Sequence, residues 1–84
     1  MKLTIKKIRV EDQFAVISNF QLELFIINSL GFQIIEYIDD GYSEDLIVKR
    51  LFEKYEVAFD VLEKDVKKFI SLLIENNLLF QKAG

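Results

Sequence analysis

The spacing of hydrophobic residues changes period inside the stretch Leu24 to Gly41, L-F-I-I-N-S-L-G-F-Q-I-I-E-Y-I-D-D-G. Before Asn28 the apolar residues come in short runs of β-forming types. After it they recur at helical spacing. Residues 3–10 alternate, with Leu3, Ile5, Ile8 and Val10 apolar and Lys6-Lys7 between them, so the period of two slips once. That predicts a strand with an irregularity. Glu11-Asp12-Gln13 is a polar turn, and Phe14 to Ile17 predicts a second short strand. Ser18-Asn19-Phe20-Gln21 supplies the next turn, with Asn19 suited to a left-handed conformation. Leu22 to Ile27 predicts a third strand. Three strands joined by short connections imply an antiparallel meander.

The helices follow. Asn28 is placed to cap the first, because its side-chain oxygen can accept from an early helical N–H. Leu30, Ile34, Ile35 and Ile38 form its apolar stripe, flanked by Phe32 and Tyr37, and Asp39-Asp40-Gly41 ends it with Gly41 in the left-handed position. Ser43 caps a second helix, with Glu44-Asp45 at its dipole-favoured start. Leu46, Ile47, Leu51 and Phe52 mark its buried face, and Lys49, Arg50, Glu53 and Lys54 its wet one. Residues 55–59 connect it to a third helix, for which Asp60 and Glu63 have capping-box spacing. The third helix runs to about Asn76 or Asn77 and buries Leu62, Val66, Phe69, Ile70 and Leu73. Leu78-Leu79-Phe80 reads as an apolar tail folding back on the core. The pattern is α+β: a three-stranded antiparallel sheet followed by three helices on one face, forming a single domain over residues 1–84.

Composition narrows the possible chemistry. An 84-residue chain buries only roughly 60–65% of its unfolded surface, but it carries 51% hydrophobic residues and eight Phe. That suffices for folding and leaves little room for an enclosed active site. There is no Cys and no His. The absence removes disulfides, thiolate metal sites and the commonest general base. The acid pairs Glu11-Asp12, Asp39-Asp40 and Glu44-Asp45 sit at element ends, where capping and turn roles account for them, and Asp39-Asp40-Gly41 lacks the oxygen spacing of a calcium loop. Asn28-Ser29-Leu30-Gly31 has one Gly and no following Lys, so it reads as a capped helix, not a phosphate loop. Its Gly31 would let a neighbouring element come close. These features point away from an enzyme, a cofactor and a metal. With 11 Lys+Arg, 14 Asp+Glu and a net charge of −3, the chain also suits nucleic acid poorly. It shows no apolar stretch long enough to span a bilayer and no signal peptide, so a cytoplasmic protein without membrane contact is expected.

The third strand is the exception to these bland readings. Leu22, Leu24, Phe25, Ile26 and Ile27 leave only Glu23 polar. As the last strand of a meander it has an edge with almost no charge to block foreign pairing. Either helices and chain termini bury it on both sides, or it is a docking edge for another peptide.

The order and signatures of the elements resemble the PqqD-like family, the recognition elements for ribosomally made precursor peptides. The residues that carry the resemblance are Ile27-Asn28, Ser29-Leu30-Gly31, Ile34-Ile35, Asp40-Gly41, Ser43, Leu46-Ile47, Leu51, Tyr55, Asp65-Val66, Phe69-Ile70, Leu73 and Leu78-Leu79. The match covers residues 14–80, and its motif positions are mostly core positions. The departures are Ile27 where Leu is usual and a compact turn at residues 18–21. The resemblance implies a winged-helix-like domain that binds a precursor's leader peptide without catalysis and presents it to a modifying enzyme or a leader protease. The leader would add as a strand to Leu22, Glu23, Leu24, Phe25, Ile26 and Ile27, with its side chains in a groove beside the third helix. On the helical wheel Val61, Asp65, Lys68 and Leu72 form one shoulder of the buried stripe and Lys67 and Ile74 the other. Asp65, Lys68, Phe69 and Leu72 are the expected groove wall, with Lys68 facing a leader carboxylate and Phe69 and Leu72 forming the pocket floor. Which shoulder faces the strand stays open. A monomer or a weak homodimer through the open edge is expected. The competing reading is a winged-helix transcription regulator. It fits three helices and a small sheet, but it fits neither a sheet that precedes all the helices nor a third helix whose lysines are interleaved with acids.

Overall fold

The computed structural model describes residues 1–81. Three strands form the expected meander: β2 (Lys7–Val10), β3 (Phe14–Ser18) and β4 (Leu24–Asn28), with the order β2-β3-β4, antiparallel throughout. A two-residue strand β1 (Lys2–Leu3) pairs antiparallel with β5 (Leu79–Phe80), which follows the last helix. Helices α1 (Ser29–Asp39), α2 (Glu44–Lys54) and α3 (Phe59–Glu75) lie between β4 and β5. The core joins Ala15, Ile17 and Ile27 of the sheet to Ile34, Ile35 and Ile38 of α1, Ile47, Val48 and Leu51 of α2, and Leu62, Val66, Ile70 and Leu73 of α3.

The helix ends follow the local chemistry. Asn28 Oδ1 accepts from Gly31 N at 2.8 Å, so one residue closes β4 and caps α1 with no loop between. Ser43 Oγ accepts from Leu46 N at the start of α2. α1 ends in a Schellman motif: Gly41, at φ +90°, donates to Ile38 O, and Tyr42 N donates to Tyr37 O. The Tyr37 and Tyr42 rings stack at 5.0 Å across it. α3 ends in the same way with Asn77, at φ +58°, in place of glycine: Asn77 N bonds Ile74 O and Leu78 N bonds Leu73 O. This turn sends Leu78 and Leu79 back into the core, where both are buried.

Four expectations need correction. The residues 3–10 are two strands in two sheets, not one irregular strand. Thr4 N and Oγ1 bond the carbonyls of Leu78 and Asn77, which pulls the chain toward the end of α3 before β2 begins. The third strand is Leu24–Asn28, not Leu22–Ile27. Leu22, at φ +66°, takes the left-handed turn position expected for Asn19, because Asn19 spends its side chain holding the turn together. α3 starts at Phe59, behind Ala58 with no side-chain cap, so Asp60 and Glu63 form no capping box. Val48 instead of Phe52 completes the buried face of α2, and the exposed Phe52 packs edge-to-face on Phe59 at 5.4 Å.

Candidate functional site

The sheet meets the helices with one face only. Ile17, Ala15 and Ile27 are buried and Phe25 half-buried toward the helices, whereas Leu24 and Ile26 are 72% and 76% exposed on the opposite face. Among the described residues, β4 is therefore not covered on both sides. It pairs only with β3 among the described residues, and its other edge is open. Asn19 N donates to Glu23 O at 3.3 Å, which fixes the phase of the antiparallel ladder. Bonded pairs alternate from there. Phe25 and Ile27 exchange bonds with Ile17 and Ala15. Leu24 and Ile26 then turn their N–H and C=O groups toward the open edge, as a strand-adding partner requires.

Where β4 runs into α1, a groove of about 300 Å³ opens between α1 and α3. Asn28, Leu30, Gly31 and Ile34 line it on the α1 side, and Leu62, Asp65, Val66, Lys68, Phe69 and Leu72 on the α3 side. Its floor is the buried set Gly31, Ile34, Leu62 and Val66. Phe69 and Leu30 are half-buried on the walls, and Asp65, Lys68 and Leu72 stand exposed at the rim. Gly31 sets the width. A Cβ there would lie 2.9 Å from Phe69 Cε1, so the aromatic edge rests directly on the helix backbone.

The structure brings together all four residues expected on the third helix, Asp65, Lys68, Phe69 and Leu72, and turns their shoulder of α3 toward the groove. Val61 of that shoulder is outside the lining. Phe69 and Leu72 do not form the floor as expected: Phe69 is half-buried on the wall and Leu72 exposed at the rim, because the more deeply buried Leu62 and Val66 lie beneath them. The strand residues are placed differently. Leu22 precedes β4, and the Glu23 carboxylate accepts from Asn19 Nδ2 at 2.9 Å and so is engaged in the turn. Leu24, Phe25, Ile26 and Ile27 form the edge strand but do not line the groove, which β4 reaches only through Asn28. Sequence reasoning treated α1 as backing and missed its wall of Asn28, Leu30, Gly31 and Ile34. A glycine in the first turn of an otherwise apolar helix was the available signal. Among the described residues no three His, Cys, Asp or Glu cluster to hold a metal, and no helix is long and apolar enough to cross a membrane.

Comparison with known proteins gives the same architecture. "TbiB1 in Complex with the TbiA(beta) Leader Peptide" superposes with a TM-score of 0.87 at 22% identity, over 100% of both chains. "Lasso peptide synthetase B1 complexed with the leader peptide" superposes with a TM-score of 0.82 at 23% identity, over 93% of this chain and 92% of that one. At such identities the likeness is one of fold. No curated protein matches the chain. Residues 18–79 match the family described as Coenzyme PQQ synthesis protein D (PqqD), three quarters of the sequence, and the chain belongs to that family.

Proposed function

We propose that this chain is a non-catalytic binding module for the leader segment of a ribosomally made precursor peptide, which it presents to a modifying enzyme or a leader protease. The observation that carries the reading is an unpaired apolar strand edge running straight into an apolar groove. A leader laid along β4 would bond the outward main-chain groups of Leu24 and Ile26. Beyond Asn28 its apolar side chains would enter the space between α1 and α3, against Phe69 and Leu72. Lys68 and Asp65 at the rim would select the charge of the flanking residues. Main-chain bonds would give affinity and the groove specificity. Two proteins of the same fold are described as complexes with leader peptides, which supports the reading.

The test is a fluorescence-anisotropy titration with the labelled leader of the precursor encoded beside this chain. Wild type should bind at micromolar Kd or tighter. Phe69→Ala, with its helix content checked by circular dichroism, should bind at least about tenfold more weakly, since a well-packed aromatic anchor contributes more than 1.4 kcal/mol. No leader binding, together with retardation of promoter DNA at low salt, would favour the transcription-regulator reading.

A further inference from the structure

The strand along which a leader would lie, β4, and the helix that walls the groove, α3, are tied together at both ends. At the end near Asn28 the tie runs through the first turn of α1, where Phe69 packs on Gly31. At the other end it is one buried side chain. Asn19 is 0% exposed and uses all of its hydrogen-bonding capacity. Its Oδ1 accepts from Gln21 N and Glu23 N, both at 3.0 Å, and shapes the turn that leads into β4. Its Nδ2 donates to Glu23 Oε1 at 2.9 Å and to Asn76 O at 2.8 Å. Asn76 is the C-cap of α3, and its carbonyl lies past the reach of the helix's own N–H groups. The Asn19 amide fills that vacancy from across the molecule, 57 residues away in sequence. The start of β4 is thereby fixed to the end of α3.

We infer that Asn19 is a positioning residue that sets the separation of β4 from α3, and so the register in which a peptide on the strand edge meets the groove. The inference deepens the leader-binding reading and rests on it for its consequence. The β4–α3 separation itself can be measured without any peptide. An Asn is needed because the position requires an acceptor for two backbone N–H groups and a donor for a carbonyl at once. A Ser retains an acceptor for the turn but is too short to reach Asn76. An Asp retains the acceptors and loses the donor.

The experiment uses the full chain, which has no Cys and can therefore be spin-labelled at chosen sites. Cysteines introduced at exposed Ile26 on β4 and exposed Ser71 on α3 report the β4–α3 separation by pulsed electron resonance. Two variants are compared with wild type, N19S and the pair N19D with E23Q, in which the new Gln amide can rejoin the turn to the Asp. Folding is checked by circular dichroism and thermal melting. The expected result is a wider or longer distance distribution in whichever variant folds, and about tenfold weaker binding of the labelled leader, the scale of one lost buried hydrogen bond. A distribution identical to wild type in a folded variant overturns the inference. If wild type fails to bind the leader while the variants still broaden the distribution, the positioning role stands and the leader-binding reading falls.

Discussion

At the scale of single residues, Gly31 and Phe69 act as a pair. Gly31 lacks the atom that would meet the Phe69 ring. Gly31→Ala has two opposed effects on stability, a gain of about 1 kcal/mol in helix propensity and the displacement of the ring. The ring edge is the mobile end of its side chain, so it should swing into the groove. The expected outcome is a stability within about 1 kcal/mol of wild type by urea unfolding, with leader affinity reduced about tenfold. Unchanged affinity would mean that the peptide does not use this part of the groove. Ser18 makes a different case. It is 4% exposed, and its Oγ has no hydrogen-bond partner among the described residues. A buried hydroxyl without a partner is a desolvation cost. Ser18→Ala should therefore raise stability by about 0.5–1 kcal/mol, read from the urea midpoint at constant slope, and a loss of stability would reveal a bond to that hydroxyl.

At the scale of elements, the open edge of β4 makes the sharpest prediction. Because Ile26 turns its N–H away from β3, Ile26→Pro deletes an outward donor and leaves the β3–β4 bonds in place. The variant should keep its circular dichroism spectrum and lose leader affinity by at least about tenfold. Equal affinity would exclude strand addition at this position. The elements were legible in the sequence wherever their determinants are local. Asn28, Gly41 and Ser43 each cap with their own nearest turn, so spacing alone gave α1 and the start of α2. Of the six groove residues of α3, Asp65, Lys68 and Leu72 were legible as one shoulder of the helical wheel and Leu62, Val66 and Phe69 as part of its buried stripe, but the wheel left open which shoulder faces the strand. The opposite wall was not legible, because Asn28, Leu30, Gly31 and Ile34 become a wall only when α3 lies across them, a contact of more than 30 residues' separation that no local pattern encodes. The same reason hid the split between β1 and β2. Thr4 leaves the expected strand to bond the far end of the chain. Asn19 was readable as a turn former but not as a tie to Asn76, since its exchange of a left-handed conformation for a buried amide depends on where α3 ends.

At the scale of the whole molecule, charge separates the proposed function from its competitor. The chain carries a formal charge of −3, and the groove is apolar below a rim of one acid and one base. Exposed rim charges contribute little and are screened by salt. Leader affinity should change less than about threefold between about 0.05 and 0.5 M salt, whereas a protein neutralising six or more phosphates would lose about a thousandfold over a narrower range. A steep salt slope in the anisotropy titration would place binding on charge and away from the groove.

The pairing of β1 with β5 bears on how such a domain can be used. Lys2 stands opposite Phe80 and Leu3 opposite Leu79, so the chain enters and leaves the fold on neighbouring strands, about 5 Å apart. Neither strand contributes to the groove. A host enzyme could accept the unit as an insertion at a single surface loop, or carry it at either terminus, with little distortion of its own backbone. A unit grafted this way would keep its groove intact, because the β1–β5 pairing that closes the fold lies apart from it.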